Sequence, residues 1–343
     1  MQNILKKICL GTGELLKDNI DTRLNVINRF LKQGGELIDT ARIYYDGKSL
    51  KKLEKIKTNY KLIAKVSYFE KDRNISIKKK LEEYQSILKR KKIDFFLTHW
   101  PSEANQDNLI KSLILLKTKK KVENIGLGNI GYRKLKKMNP KILYHLDAIQ
   151  IELNIFNYFY QKKLLNFCKK KNILVFGYSP IRWCKFKKID KNLKKQLTYF
   201  KSKYNINFSD LCLLFSIFNN VVPILSIKNP TRLNRIINLN KYLFNKDLKE
   251  KLIKFESKIR KTEFIDPKKI FYKTEDKYIN IEKITFDKKN LNMIIDEIKD
   301  QKSSLKPIIF KKLKKRYIVL DGKIRCKGLY QLNSNKKIYG IIL

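Results

Sequence analysis

The chain is poor in acidic residues, with 32 Asp and Glu against 78 Lys and Arg, and it holds only two His and two Trp in 343 residues. No apolar run approaches the ~20 residues needed to cross a bilayer. Met1 to Lys7 lack the apolar core and small-residue cleavage site of a signal peptide. The five Cys, at 9, 168, 184, 212 and 326, have no paired spacing. That argues against a zinc framework and predicts free thiols in a reducing, cytoplasmic compartment, with no metal site. Arg is scarce and no helix-turn-helix segment stands out, so specific nucleic-acid recognition is disfavoured despite a formal charge of +46. The Lys residues are spread along the chain, in short clusters such as Lys78-Lys79-Lys80 and Lys119-Lys120-Lys121. They read as compositional and predict weak, salt-sensitive adhesion to anions.

What is present is a chain that is 43% hydrophobic, enough for a sizeable core in one large domain plus a small one. Strand-like apolar runs fall at Lys7–Leu10, Glu36–Ala41, Lys61–Val66, Ile93–Trp100, Asn124–Asn129, Ala148–Leu153, Ile173–Ser179 and Val221–Ile227. Most are continuous rather than alternating, as in parallel strands covered on both faces. Helical patterns lie between them. Asp21–Lys32 carries Leu24, Ile27 and Leu31 at helical spacing before Gly34-Gly35, and Asn207-Phe208-Ser209-Asp210 offers an N-cap to the helix before the last strand. Eight strand–helix units in roughly 250 residues predict a (β/α)₈ barrel over residues 1–263, with a doubly wound sheet as the rival.

The pattern changes after Lys261. Residues 264–277 read as a linker around Pro267, and residues 278–343 as a small α+β unit. In that unit Tyr278–Phe286, Pro307–Lys311, Tyr317–Leu320 and Ile338–Leu343 are strand-like, and Lys288–Asp300 and Ile324–Leu332 are helix-like.

Three barrel strands end on chemistry-bearing residues. Leu37-Ile38-Asp39-Thr40-Ala41-Arg42-Ile43-Tyr44-Tyr45 delivers a carboxylate at a strand end and a Tyr on the following loop. Leu62-Ile63-Ala64-Lys65 ends on a Lys, and Ile93 to Pro101 carries His99. Since a barrel keeps its chemistry at the C-terminal ends of its strands, these four side chains meet at one mouth. Taken singly, each has a dull explanation: a turn Asp, a surface Lys, one Tyr among 18. Their order, spacing and strand-end placement together point to one site.

This constellation resembles the Asp, Tyr, Lys, His tetrad of the aldo-keto reductases, with Ile38-Asp39-Thr40-Ala41-x-x-Tyr44 and His99-Trp100-Pro101 matching its motifs over roughly residues 5–260. The resemblance implies NAD(P)H-dependent reduction of a carbonyl substrate. Tyr44 would be the proton donor, Lys65 would lower its pKa from about 10, Asp39 would hold Lys65, and His99 would hydrogen-bond the carbonyl oxygen. It further places Gly11 and Thr12 beside the nicotinamide, Asn129 and Gln150 on its carboxamide, and Tyr178, with Ser179, against its face. Lys228 and Arg232, on the loop after the eighth strand, would take the 2′-phosphate and favour NADPH over NADH. The chain departs from the family pattern at Tyr45 and Ser226, where Gly is usual, at Gly128, where Ser is usual, at Leu50, where Glu is usual, and at Ile236, where Asn is common. Arg42, Trp100 and Trp183 are candidate walls of the substrate site, and Arg42 and Lys185 hint at an anionic or sugar-like substrate.

Val319-Leu320-Asp321-Gly322-Lys323-Ile324-Arg325, with Lys306-Pro307-Ile308-Ile309 before it, resembles the ParB-like domain. That implies a phosphate site anchored on Arg325, with a nucleotide as ligand. Lys323 stands where the related sulfiredoxin fold has its reactive Cys, which argues against that chemistry. Two further functional readings stay open: a cofactor-sensing regulatory subunit without efficient turnover, and a nucleotide- or nucleic-acid-binding protein acting through the C-terminal unit.

Overall fold

The computed structural model describes residues 3–17, 19–66, 76–99, 106–181, 191–259, 262–265, 269–273, 278–281, 283–287, 291–292, 295, 308–313, 316–332 and 338–342. Strands β1 (Cys9–Gly11), β2 (Leu37–Ala41), β3 (Lys61–Val66), β4 (Ile93–Thr98), β5 (Val122–Gly128), β6 (Ala148–Glu152), β7 (Leu174–Tyr178) and β8 (Val222–Leu225) form a closed barrel in chain order. Every neighbouring pair is parallel, and β8 returns to β1 with Ile224 opposite Cys9. The barrel reading holds, and the doubly wound alternative falls.

Each crossover carries at least one helix: α1 (Ile20–Lys32), α2 (Lys48–Leu53), α3 (Ile77–Leu88), α4 (Gln106–Thr118), α5 (Tyr132–Lys137), α6 (Pro140–Tyr144), α7 (Tyr158–Lys170), α8 (Lys191–Tyr204) and α9 (Phe208–Phe218), with α10 (Pro230–Ile237) and α11 (Lys246–Ile259) after β8. Helix α1 shows why these segments fold as they do. Asn19 Oδ1 accepts from the Thr22 N–H as N-cap, and Leu24, Ile27, Phe30 and Leu31 form the buried stripe against the strands. The predicted cap before β8 is a full capping box, with Asn207 Oδ1 taking the Asp210 N–H and the Asp210 carboxylate taking the Asn207 N–H. Inside the barrel Cys9, Ile63, Leu97, Ala148, Phe176 and Ile224 pack as one cluster beneath the C-terminal mouth.

The linker reading needs correction. Residues 262–265 form β9 and residues 270–273 form β10, both inside or touching the stretch expected to be unstructured. They join β11 (Tyr278–Asn280), β12 (Ile308–Leu313), β13 (Arg316–Asp321) and β14 (Ile338–Ile342) in one six-stranded sheet of order β11-β10-β13-β12-β14-β9. Helix α12 (Lys323–Leu332) lies against it, and Ile270, Tyr272, Ile308, Phe310, Val319 and Cys326 make a separate core. The physical reason is that β9 pairs with β14 at the far end of the chain, so a four-residue run next to Pro267 gives no local signal of its role. Leu320 of β13 packs against the outer core of the barrel. The helix expected at Lys288–Asp300 lies largely outside the described residues. Among the described residues no helix is long and apolar enough to cross a membrane.

Candidate active site

Asp39, Tyr44, Lys65 and His99 come together at the C-terminal ends of β2, β3 and β4. Register explains how. Lys65 sits opposite Ala41, two residues beyond the level of Asp39, and its long side chain reaches back. Its Nζ lies 2.7 Å from Asp39 Oδ1 and donates to Tyr44 Oη at 2.7 Å, and both Lys65 and Asp39 are only 2% exposed. The Tyr44 and His99 rings meet edge to face, 5.8 Å between centroids. Trp100 and Trp183, expected as walls, and Lys185, expected to favour an anionic or sugar-like substrate, lie outside the described residues.

Burial works against the Lys65 ammonium, yet Asp39 and Tyr44 outweigh it and hold its pKa above the ordinary value. Burial, with the Lys65 charge beside it, pushes His99 down to about 3, so its imidazole is neutral at physiological pH. The sequence reading expected Lys65 to lower the Tyr44 pKa. The net direction is the opposite: burial raises it, Asp39 adds to the rise, and the Lys65 ammonium only offsets part. The outcome is a phenol that stays protonated at neutral pH and keeps a proton to give. Cys9, buried below and facing Asp39, is likewise pushed up and stays a thiol.

The residues expected around a cofactor are placed as follows. Gly11 ends β1, and Thr12 is buried with its N–H and hydroxyl both on the Asp39 carbonyl, at 2.9 and 3.0 Å. Gln150 donates to Asp39 Oδ2 at 2.7 Å, so one N–H of its amide supports Asp39. Asn129 donates to the His99 carbonyl at 2.9 Å and accepts from the Tyr178 hydroxyl at 2.7 Å, which uses both ends of its amide. Ser179 follows with φ of 54°. Lys228 is exposed on the loop after β8, while Arg232 turns inward: its Nη1 lies 2.6 Å from the fully buried Asp210, which Arg235 also holds.

Each departure from the family pattern has a local consequence. A Cβ on Gly128 would stand 2.3 Å from the Thr98 carbonyl and 2.5 Å from that of His99, so β4 and β5 approach too closely here for Ser. Tyr45 has a φ of 51°, a left-handed conformation that costs a non-glycine residue about 1–2 kcal/mol. Ser226 accepts from Arg23 Nη1 at 3.0 Å. Leu50 and Ile236 are fully buried apolar residues.

Arg23 was not legible in the sequence. It is 3% exposed and also bonds the carbonyls of Ile227 and Glu14, tying the loop after β8 to the loop after β1. An Arg in a helix with a polar surface pattern carries no sign that it turns inward. A cavity of about 620 Å³ opens at the opposite end of the barrel, among Phe95, Asn124, Asp147 and Leu174. It holds none of the tetrad, and that end of a barrel serves stability.

A closed parallel barrel with a buried Lys–Asp pair under a tyrosine hydroxyl defines a (β/α)₈ barrel protein with a polar cluster at its C-terminal mouth. The chain matches the aldo/keto reductase family over residues 7–254 and belongs to it. It is 31% identical over 100 residues to a 9,11-endoperoxide prostaglandin H2 reductase of Trypanosoma cruzi (strain CL Brener), a match spanning 29% of this chain and 35% of that protein. Its fold is similar to an aldo/keto reductase from Klebsiella pneumoniae solved with NADP and acetate, at TM-score 0.62 and 16% identity, covering 73% of this chain and 91% of that one. A second structure from that organism, solved with NADPH, gives TM-score 0.60 at 17% identity, covering 73% and 90%. The family match ends before β9, and the ParB-like resemblance of the C-terminal sheet finds no support in these likenesses. There Gly322, with φ of 77°, makes the turn into α12, and Arg325 folds back so that a Cβ on Gly322 would lie 2.9 Å from its Nη2.

Proposed function

We propose that the protein reduces a carbonyl compound to an alcohol with NADPH, Tyr44 giving the proton. The observation that carries this is the Asp39–Lys65–Tyr44 chain of 2.7 Å contacts, with Asp39 and Lys65 buried. When bound, the nicotinamide supplies the hydride. The chain's own residues do the rest. His99, neutral and beside Tyr44, donates to the carbonyl oxygen and orients it. Tyr44 Oη passes its proton to that oxygen, and the phenolate left behind is stabilised by the Lys65 ammonium, which Asp39 keeps in place.

The residues present fit an NADPH molecule. Lys228 is exposed at the start of α10, and Arg232 Nη2 is buried there with no hydrogen-bond partner. Lys228 suits a 2′-phosphate directly, and Arg232 once its guanidinium turns out from Asp210, with Gly11, Thr12, Asn129, Gln150, Tyr178 and Ser179 around the nicotinamide end. The two Klebsiella pneumoniae relatives with NADP and NADPH support this choice over NADH. One observation favours a cofactor-sensing subunit as a second reading: Asn129 is already bonded to His99 and Tyr178, so a carboxamide is left only one N–H and one lone pair of its amide. A screen of NADPH oxidation against sugars, keto acids and aldehydes tests both. Turnover that vanishes in Tyr44→Phe supports the reductase, and tight NADPH binding with no turnover on any carbonyl supports the sensor.

A further inference from the structure

Tyr84 is a residue that neither the tetrad nor the cofactor reading uses, although it is fully buried on α3 and its ring meets Phe96 of β4 edge to face at 6.1 Å. Its hydroxyl does two things at once. It donates to the Lys65 carbonyl at 2.8 Å, and its oxygen receives the backbone N–H of Arg42. Lys65 and Arg42 belong to different strand ends. Lys65 is the penultimate residue of β3, whereas Arg42 opens the loop that turns through the Tyr44 N–H to Ala41 carbonyl bond and presents Tyr44. The preceding residue of the same helix, Glu83, forms a short ion pair with the Arg42 guanidinium. Helix α3 therefore grips Arg42 by both backbone and side chain while gripping the backbone of Lys65.

We propose that Tyr84 is a positioning residue for proton transfer: its hydroxyl pins the Tyr44 loop to the Lys65 strand and so sets the contact between Lys65 Nζ and Tyr44 Oη. The inference rests on Tyr44 being the proton donor. A Tyr hydroxyl suits the task because one oxygen both donates and accepts. A Phe there keeps the packing and leaves two buried backbone groups without that partner. The loop then relaxes outward, and the ammonium moves away from the phenol. The charged or titratable groups facing Tyr44 are Lys65 from β3, Asp39 from β2, Cys9 from β1, His99 beyond β4 and Tyr84 itself from α3. Of these Lys65 is the one that favours the phenolate by charge, so a longer contact to it moves Tyr44 titration upward.

The test is Tyr84→Phe in the full chain, with Leu81→Ala as a control that damages the same helix without touching the pin. The expected result is a fall in kcat of about tenfold with NADPH affinity unchanged, and an upward shift of the alkaline limb of the pH–rate profile. Leu81→Ala loses stability and keeps that limb. Tyrosine labelled with ¹³C at Cζ, with Tyr44 assigned through Tyr44→Phe, reads the same Tyr44 shift without needing turnover. Should no carbonyl be reduced by the intact protein, the reductase reading fails, and the NMR titration still decides the role of Tyr84. A Tyr44 titration unchanged by Tyr84→Phe overturns the inference, as does an equal shift in Leu81→Ala. If Tyr84→Phe does not fold, Glu83→Gln loosens the same pin through Arg42. A smaller upward shift is then expected, and none overturns it.

Discussion

The barrel and the C-terminal sheet are built by the same chain under opposite rules. In the barrel every strand pairs with its neighbour in sequence, and only β8 to β1 closes over a long distance. In the C-terminal sheet the edge strand β9 waits for β14, and β10 inserts beside β13. The barrel repeats one unit, so each apolar run reports its own place. The sheet joins two local antiparallel pairs, β10–β11 and β12–β13, by non-local ones, so the short strand β9 at its edge carries little local signal. The comparison teaches that chemistry on the repeated unit is readable, whereas structure made by distant pairing is not.

The largest expected effect belongs to the barrel. Tyr44→Phe is expected to lower carbonyl reduction by roughly 10²–10⁴-fold, the usual share of a general acid, while NADPH binding stays as it was. Steady-state kinetics beside a fluorescence titration of NADPH checks this, and loss in Tyr45→Phe instead would move the donor by one residue. Next comes the Asp210 junction between α9 and α10. Asp210→Ala leaves Arg232 and Arg235 without their carboxylate, and an unfolding free energy lower by about 3–5 kcal/mol is expected in denaturant melts.

His99 sharpens the comparison through pH. Its folded-state pKa of about 3 lies below the ordinary 6.5, so the folded state binds fewer protons between these values. Its contribution to stability is complete above the unfolded value and is lost as pH falls toward 3, with a slope of at most about 1.4 kcal/mol per pH unit. Denaturant midpoints from neutral to acid pH should follow that sign, and His99→Gln should flatten the slope.

A smaller effect is expected at the cofactor loop. Lys228→Ala should weaken NADPH about tenfold and leave NADH nearly unchanged, since a charge-assisted phosphate contact is worth roughly 1.5–3 kcal/mol. Equal affinity of the intact protein for the two cofactors would remove this assignment. The smallest effect concerns the sheet: truncation after Ile259 is expected to leave KM and kcat of the barrel unchanged. A sharp rise in KM would instead make the C-terminal sheet part of the substrate site.

The residues themselves determined a great deal. Continuous apolar runs spaced by helical segments specify buried parallel strands, and Asp39, Lys65 and His99 stand at the ends of such runs, so the fold and the four tetrad positions followed from local pattern and resemblance. Only the tertiary structure decided what depends on distance and burial. It turned Gln150 onto Asp39 and Arg232 onto Asp210, brought β4 and β5 close enough to demand Gly128, and drew two strands from in and beside an expected linker into a six-stranded sheet. It also reversed the direction expected for Tyr44, because the gain from one nearby ammonium is smaller than the cost of taking a phenolate out of water. Spacing along the chain shows which groups reach one mouth. How much water remains there, and which partner each side chain takes, is set by the packing of elements far apart in sequence.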